Sequence, residues 1–143
     1  MIREKRAYSM TFWAVFMGFV LIPALAMAIE LGRYFYARSE IAKAADAAAV
    51  AAAAEINQRT FQENGNLVPT EKTWANAQNY ASWNNSTLAA NGIRAVVTGI
   101  AVDEGQDTVR VSVSANLSRL FPSIVPDVTV VETGVANVRA FSR

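Results

Sequence analysis

Acidic side chains gather at one place in the sequence where a cation could bind. Asp103, Glu104 and Asp107 lie within five consecutive residues, and carboxylate oxygens are the ligands that calcium prefers. Their spacing is not that of an EF-hand loop, and Gly105 among them is typical of a turn. We therefore interpret the cluster as a solvated hairpin turn between two strands, and we expect no metal and no cofactor.

Catalytic chemistry has little basis in the rest of the chain. The 143 residues include no His and no Cys, so the commonest general base, the commonest zinc ligand and a thiol nucleophile are missing. Serines such as Ser112 have no imidazole to activate them, and no glycine-rich phosphate loop occurs. The formal net charge is +1, so no basic patch dominates that could bind nucleic acid. We predict a protein that is not an enzyme and has no nucleic-acid partner.

Three aromatic residues form a second candidate ligand site. Trp74, Tyr80 and Trp83 lie in a segment with the apolar spacing of a helix. Their rings either form a platform for carbohydrate or pack as core against a sheet. Because Trp74 shares helical spacing with Ala77 and Ala81, core packing is the favoured interpretation.

Three asparagines are candidate modification sites. Asn84, Asn85 and Asn116 each begin an Asn-x-Ser/Thr triplet. Glycosylation at these positions requires export and the necessary enzymes, and the sequence leaves it open.

The elements that position these residues begin with a long apolar segment. Residues 7–29 contain no charged side chain, and as a helix they would span roughly 35 Å, more than the hydrocarbon core of a bilayer, which is about 30 Å thick. The preceding residues carry three cations and one anion, which favours a cytoplasmic N-terminus. We predict a short basic cytoplasmic segment at 1–7 and a transmembrane helix at 8–29.

A cleavable signal peptide is the alternative interpretation of this segment. Small residues lead up to Ala28 with the spacing that signal peptidase requires. The apolar run is longer than the usual 7–15 residues, and the helical pattern continues beyond it. These two observations favour a retained membrane anchor.

The helical pattern extends well past the apolar segment. Residues 42–54 contain ten alanines in thirteen, and Ala has the highest helix propensity. We predict one helix over 8–59, locally opened or kinked by Pro23, with an Ala-rich stalk at 30–60. Small residues at helical spacing let neighbouring helices approach closely. The predicted helix-packing residues are Ala14, Gly18, Ala24, Ala28, Gly32, Ala45, Ala49 and Ala52.

The remaining residues, 61–143, predict a small exported head. Beyond Gly92 the apolar period changes to two, with candidate strands near 93–102, 108–117 and 128–139. Three antiparallel strands with one covered face fit an α+β fold in which one helix and the top of the stalk cover the sheet. The whole chain then has the shape of a lollipop, with the head at the end of the long helix.

The N-terminal half of the sequence resembles the TadE/TadG-like proteins of tight-adherence (Flp) type IV pilus assembly. The residues that carry the resemblance are Leu21-Ile22-Pro23-Ala24-Leu25-Ala26, the Glu30-Leu31-Gly32-Arg33 step, and Ala44-Ala45-Asp46-Ala47-Ala48-Ala49. The resemblance is specific over residues 20–54 and looser beyond. It implies a single-pass protein of the cytoplasmic membrane whose head lies outside the cytoplasm and helps to build or anchor a pilus.

Two departures from the family pattern narrow the expected role. Pilin-like members are cut by a prepilin peptidase and carry Glu five residues into the mature chain; here the nearby candidate cut follows Ala7, and Phe12 stands in place of that Glu. The metal-binding D-x-S-x-S motif of longer TadG-type proteins is absent. The resemblance thus implies an accessory, anchoring or minor pilin-like subunit.

Two alternative functions stay open beside that role. One is a main filament subunit, placed in an extracellular filament. The other is a secreted or anchored ligand-binding module whose first 28 residues are removed. The partners implied by the resemblance are membrane lipid and other pilus-assembly proteins or pilins, bound through the N-terminal helix in a self- or hetero-oligomer.

Overall fold

The N-terminal part of the protein forms one long helical rod. The structure, a computed structural model, describes residues 2–83, 86–121 and 127–138. Helix α1 (Ile2–Phe16) continues through five π-helical residues (Met17–Leu21) into helix α2 (Ile22–Ala54). We call the N-terminal part of the rod its lower part and the part nearer Ala54 its upper part. The lower part exposes large apolar side chains all round, including Met10, Phe12 and Phe19.

The rod widens directly before Pro23. The Ile22 N–H donates to the carbonyl of Met17, five residues back rather than four. Because Pro23 has no N–H and its ring crowds the preceding turn, a wider turn at this point relieves that crowding. The predicted local opening of the helix at Pro23 is confirmed.

The rod ends at Ala54, about one turn before the predicted end at residue 59. Glu55 leaves helical geometry, and Ile56 is buried and pairs with Pro69 in an isolated β-bridge. The Asn57 side chain then accepts a hydrogen bond of 3.2 Å from the Thr60 N–H, which caps the short helix α3 (Gln58–Asn64). Burial of Ile56 and the new cap together turn the chain away from the rod.

The head contains a three-stranded antiparallel sheet in the order β1-β2-β3. The strands are β1 (Val96–Asp103), β2 (Thr108–Leu117) and β3 (Val128–Asn137). In the register, Val111 of β2 lies opposite Ile100 of β1 and Gly134 of β3. The predicted three-stranded antiparallel sheet is confirmed.

The upper half of α2 is the central element of the head. The sheet packs one face against it, with Val109, Val111 and Val113 of β2 fully buried there. Helix α4 (Thr73–Trp83) packs on α2 and on β1, and the short α5 (Ser86–Ala89) follows it. The α+β prediction is confirmed, with two short helices beside the one expected.

Helix α4 buries its small residues and exposes its aromatic rings. Thr73, Ala77 and Ala81 are buried. The exposed fractions of the three aromatic side chains are 50% for Trp74, 43% for Tyr80 and 69% for Trp83. The prediction that these rings form the core is therefore wrong. Helix α4 lies against the alanines of α2, so the buried stripe runs through small residues and is centred about 60° around the helix from Trp74.

Candidate docking helix and its junction with the head

The lower part of the rod presents small residues to its surroundings. Neither Gly18 nor Gly32 has another side chain within reach of a Cβ placed on it. Backbones of other helices can therefore approach at these positions. The predicted helix-packing residues that are exposed are Ala14, Gly18, Ala24, Ala28 and Gly32.

The other three predicted helix-packing residues lie inside the head. Ala45, Ala49 and Ala52 have no exposed surface. A Cβ on Gly134 would lie 2.6 Å from the backbone nitrogen of Asp46 and closer still to the Ala45 carbonyl. Strand β3 thus touches the backbone of α2, and this close approach requires Gly134 on the strand.

An ionic cluster fastens the lower edge of the head to the rod. The Glu30 carboxylate accepts hydrogen bonds from the backbone N–H groups of Leu120 and Phe121, the latter at 3.2 Å. Arg33 pairs with Glu30 at 3.0 Å and donates to the carbonyl of Ser118 at 3.3 Å. The chain leaving β2 is therefore held at the first charged residue after the apolar segment.

These contacts shift the pKa of Glu30. Burial alone would raise the pKa of this carboxyl, but the N–H groups of Leu120 and Phe121 and the positive charge of Arg33 outweigh burial and lower it from 4.5. The ionised form is therefore the one that the fold stabilises.

Further contacts continue up the rod. Arg38 pairs with Glu132 of β3. Glu40 pairs with Lys43, as its spacing predicts, and also accepts from the Thr87 hydroxyl at 3.3 Å. Both sides of the head are thus tied to the same stretch of helix.

The top of the rod is tied to the start of α4. The Glu55 carboxylate accepts hydrogen bonds from the Asn76 amide and from the Thr70 hydroxyl, the latter at 3.4 Å. The Thr73 hydroxyl donates to the Glu55 carbonyl at 3.4 Å. Because Thr87 contacts Glu40 near the bottom, α4 and α5 descend alongside α2 towards the apolar part of the rod.

An apolar groove lies where the rod meets the lower edge of the sheet. Its volume is about 320 Å³. The helix contributes Met27, Leu31 and Tyr34, and the strand ends contribute Leu117 and Val128. The groove therefore combines a residue of the predicted transmembrane span with residues of the head.

The acidic cluster forms the β1–β2 hairpin turn. The Asp103 carboxylate accepts from the Gly105 N–H at 3.1 Å and lies 3.7 Å from Arg110. Asp107 adopts a positive φ of 50°, which the turn requires. Across residues 2–83, 86–121 and 127–138, no three acidic side chains converge as a metal site. The hairpin interpretation is confirmed.

One of the three candidate glycosylation sites, Asn116, lies among the residues that the structure describes. Asn116 is exposed on β2, and its side chain accepts from the Thr129 hydroxyl at 2.7 Å. Asn84 and Asn85 lie outside the described residues.

The long helix has the length and composition of a membrane span. It is found over Ser9–Ala54, and only 6% of its most apolar 18-residue window is buried. The core helix of a soluble protein would be mostly buried. The fold thus defines a class of protein: an apolar helix that can cross a membrane, carrying a small α+β head.

The long helix matches the model of a known protein family. Residues 9–55 match the model of the Tad family, described as Flp pilus-assembly TadE/G-like. The match covers 47 of the 143 residues and follows the rod, so the predicted TadE/TadG-like resemblance is confirmed over this segment. Together with the candidate membrane helix, it supports a pilus-associated membrane component. The comparisons with curated proteins and with solved structures gave no match.

Sequence reasoning did not find the junction at Glu30. The Glu30-Leu31-Gly32-Arg33 step is visible in the sequence, but its partners Leu120 and Phe121 lie 90 residues away and donate backbone groups. Backbone donors leave no side-chain signature. The available signal was an isolated carboxylate directly after an apolar span.

Proposed function

We propose that this protein is a noncatalytic anchoring or minor pilin-like subunit of a tight-adherence pilus system. It sits in the cytoplasmic membrane through residues 8–29 and holds its head outside the cytoplasm. The observation that carries the proposal is the coincidence of the Tad-family segment with the rod. The lower part of that rod is exposed, and the upper part is built into the head.

Assembly takes place through the lower rod. Two short runs of small residues, one at Ala14 and Gly18 and one at Ala24, Ala28 and Gly32, let partner helices dock by close backbone contact. The predicted packing residues higher up the rod, Ala45, Ala49 and Ala52, are already covered by the head's own sheet and α4. The docking partners are therefore other transmembrane helices of the pilus machinery.

The orientation follows from the charges at the two ends of the span. Arg3, Lys5 and Arg6 precede the apolar segment, and short basic flanks stay on the cytoplasmic side. The head then faces outward.

A substitution at Ala28 tests the docking surface. Ala28→Leu adds bulk where a partner backbone must approach, so we expect several-fold less co-purification of partner membrane helices in mild detergent. Ile29→Leu is the matched control, because it keeps the volume of an exposed neighbour about 100° around the helix. Unchanged association of Ala28→Leu would contradict the docking surface.

The main filament subunit is the first alternative. In that case mature chains would dominate surface filaments sheared from cells, whereas an anchoring subunit stays with the membrane fraction. Phe12 in place of the pilin Glu and the use of Glu30 inside the chain both favour the anchoring role.

A ligand-binding role is the second candidate, and the exposed rings of α4 favour it. Tyr80 and Trp83 lie with ring centroids 4.8 Å apart, and Trp74 is half exposed on the same helix. Replacing all three with Ala should leave the fold intact, because none of them is in the core. Glycan-array binding by the wild-type protein that this variant loses would establish a ligand-binding module. No glycan binding by the wild-type protein would remove this candidate.

A further inference from the structure

The lower edge of the head lies at the level where the rod leaves its apolar segment. Glu30 is the first charged residue after residues 7–29, and its carboxylate holds the backbone of Leu120 and Phe121. The chain at the end of β2 is therefore fixed at the boundary of the transmembrane span.

Aromatic residues mark the same level. Tyr34, Phe35 and Tyr36 follow Glu30 within six residues, which is roughly 9 Å along a helix. Tyr side chains collect at the headgroup region, which adds roughly 5–8 Å to each side of the hydrocarbon core. Since Tyr34 also lines the groove between rod and sheet, the span proposed above at residues 8–29 puts that groove at the membrane interface.

The groove and its rim expose large apolar side chains. Leu31 is 54% exposed and Leu120 is 55% exposed. Met27, inside the predicted span, is 51% exposed and lines the same groove. Apolar side chains of the span and of the head therefore line the same groove, beside the polar residues Glu30, Ser118 and Arg119.

The charges around the groove are already matched. Arg119 at the rim pairs with Asp127 at 3.2 Å, and Arg33 pairs with Glu30 at 3.0 Å. The rest of the exposed groove surface is mainly apolar. This composition points to acyl chains rather than to a charged headgroup as the ligand.

We propose that acyl chains of the surrounding phospholipid fill this groove and contact Leu120, so that the head rests on the bilayer surface. The inference rests on the membrane anchoring proposed above and adds a second, separate point of lipid contact. The continuity of the groove with the transmembrane surface favours lipid over a second copy of the chain, whose helix would have to displace that lipid.

Single cysteines provide a clean test, because the chain has no cysteine of its own. Leu120→Cys, Val15→Cys and Val135→Cys place the thiol at sites of similar exposure, 55%, 53% and 51%. Val15 lies within the span, and Val135 lies about 23 Å along β3 from Val128. Each full-length variant is labelled with the environment-sensitive dye NBD and reconstituted into phosphatidylcholine vesicles brominated on one acyl chain.

We expect blue-shifted emission and at least two-fold bromine quenching for the labels at Val15→Cys and Leu120→Cys, and neither for the label at Val135→Cys. Quenching at Val15→Cys without quenching at Leu120→Cys would overturn the lipid contact and leave the anchor standing. No quenching at either would overturn the anchor as well. A blue shift at Leu120→Cys without quenching would indicate a protein occupant and would also overturn the proposal.

A second position covers the case in which Leu120→Cys does not fold. Ser118→Cys is nearly isosteric at an exposed groove residue, and its label should also be quenched by the brominated lipid. Absence of quenching there, in a protein whose near-UV circular dichroism matches the wild type, would overturn the proposal.

Discussion

Gly134 shows how one residue sets the separation between rod and sheet. It lies opposite Val111 in the register, in the strand that crosses the backbone of α2 at Ala45 and Asp46. A side chain here has no free space, because the atoms it would meet are backbone and not the flexible end of another side chain. The close contact between β3 and α2 therefore depends on the absence of a Cβ.

We expect Gly134→Ala to destabilise the head by about 1–3 kcal/mol, as overpacking in a core does. Thermal unfolding of the full-length protein in detergent micelles, followed by near-UV circular dichroism, measures the change. Gly99→Ala is the matched control: Gly99 is also in the sheet but has open space around its Cβ position, so its effect should stay within about 0.5 kcal/mol. Equal effects of the two substitutions would contradict the close contact.

The ionisation of Glu30 predicts a stability that depends on pH. Its pKa in the folded protein is lowered from 4.5, so its contribution to stability is complete above 4.5 and is lost as the pH falls through the folded value. We expect Glu30→Gln to lower the unfolding temperature near neutral pH, and we expect the difference from wild type to shrink below pH 4.5.

The control for Glu30 is an exposed carboxylate. Glu63 pairs with Arg59 at 3.0 Å, but both side chains are largely exposed, and such pairs contribute little to stability. Glu63→Gln should change the unfolding temperature only slightly at either pH. A difference between wild type and Glu30→Gln that stays constant from neutral pH to pH 3 would refute the proposed role of the Glu30 carboxylate.

Among the elements, α2 and α4 form an interface of small residues. Ala77 and Ala81 of α4 have no exposed surface, and the alanines of α2 face them. This pairing explains why α4 turns its aromatic rings outward, since a ring between the helices would force them apart. The same composition that suits helix packing in a membrane here serves packing within one chain.

The interface between α2 and α4 predicts that the loss of stability caused by a larger side chain depends strongly on its position within α4. Ala77→Leu should destabilise the head by about 1–3 kcal/mol, because the added atoms have no room. Ala75→Leu makes the same change on the exposed side of the same helix, and we expect an effect within about 0.5 kcal/mol. Urea unfolding of both full-length variants in detergent compares them directly, and equal destabilisation would be inconsistent with tight helix packing.

At the scale of the whole molecule, one rod supplies both the apolar helix that can cross a membrane and the central helix of the head. Met27, Glu30 and Arg33 contribute to the junction or to the groove at the lower edge of the sheet. Removal of the first 28 residues would delete Met27 and leave Glu30 next to a frayed N-terminus. The junction is therefore an argument for a retained anchor.

Retention predicts the mass of the mature protein. We expect intact-mass spectrometry of protein purified from native membranes to give the full chain of 15.5 kDa. A chain that begins after Ala7 would indicate prepilin-type processing, and a chain that begins after Ala28 would indicate ordinary secretion. The second result would contradict the retained anchor, whereas the first would leave the span at residues 8–29 in place.

Local patterns determined a large part of this architecture. The charge-free segment, the Ala-rich run and the alternating strands each act within a few neighbouring residues. They were enough to predict the rod, the opening at Pro23 and the three-stranded sheet. The Glu40–Lys43 pair, three residues apart on one helix, follows from the same local geometry.

Tertiary structure decided which face of each element is used. Helical spacing placed Trp74 with Ala77, but the alanines of α2 admit only small side chains, so Thr73 turns inward and Trp74 turns outward. The rod ends at Ala54 because Ile56 pairs with Pro69. Each outcome depends on a contact between distant segments, whose geometry exists only once the chain has folded.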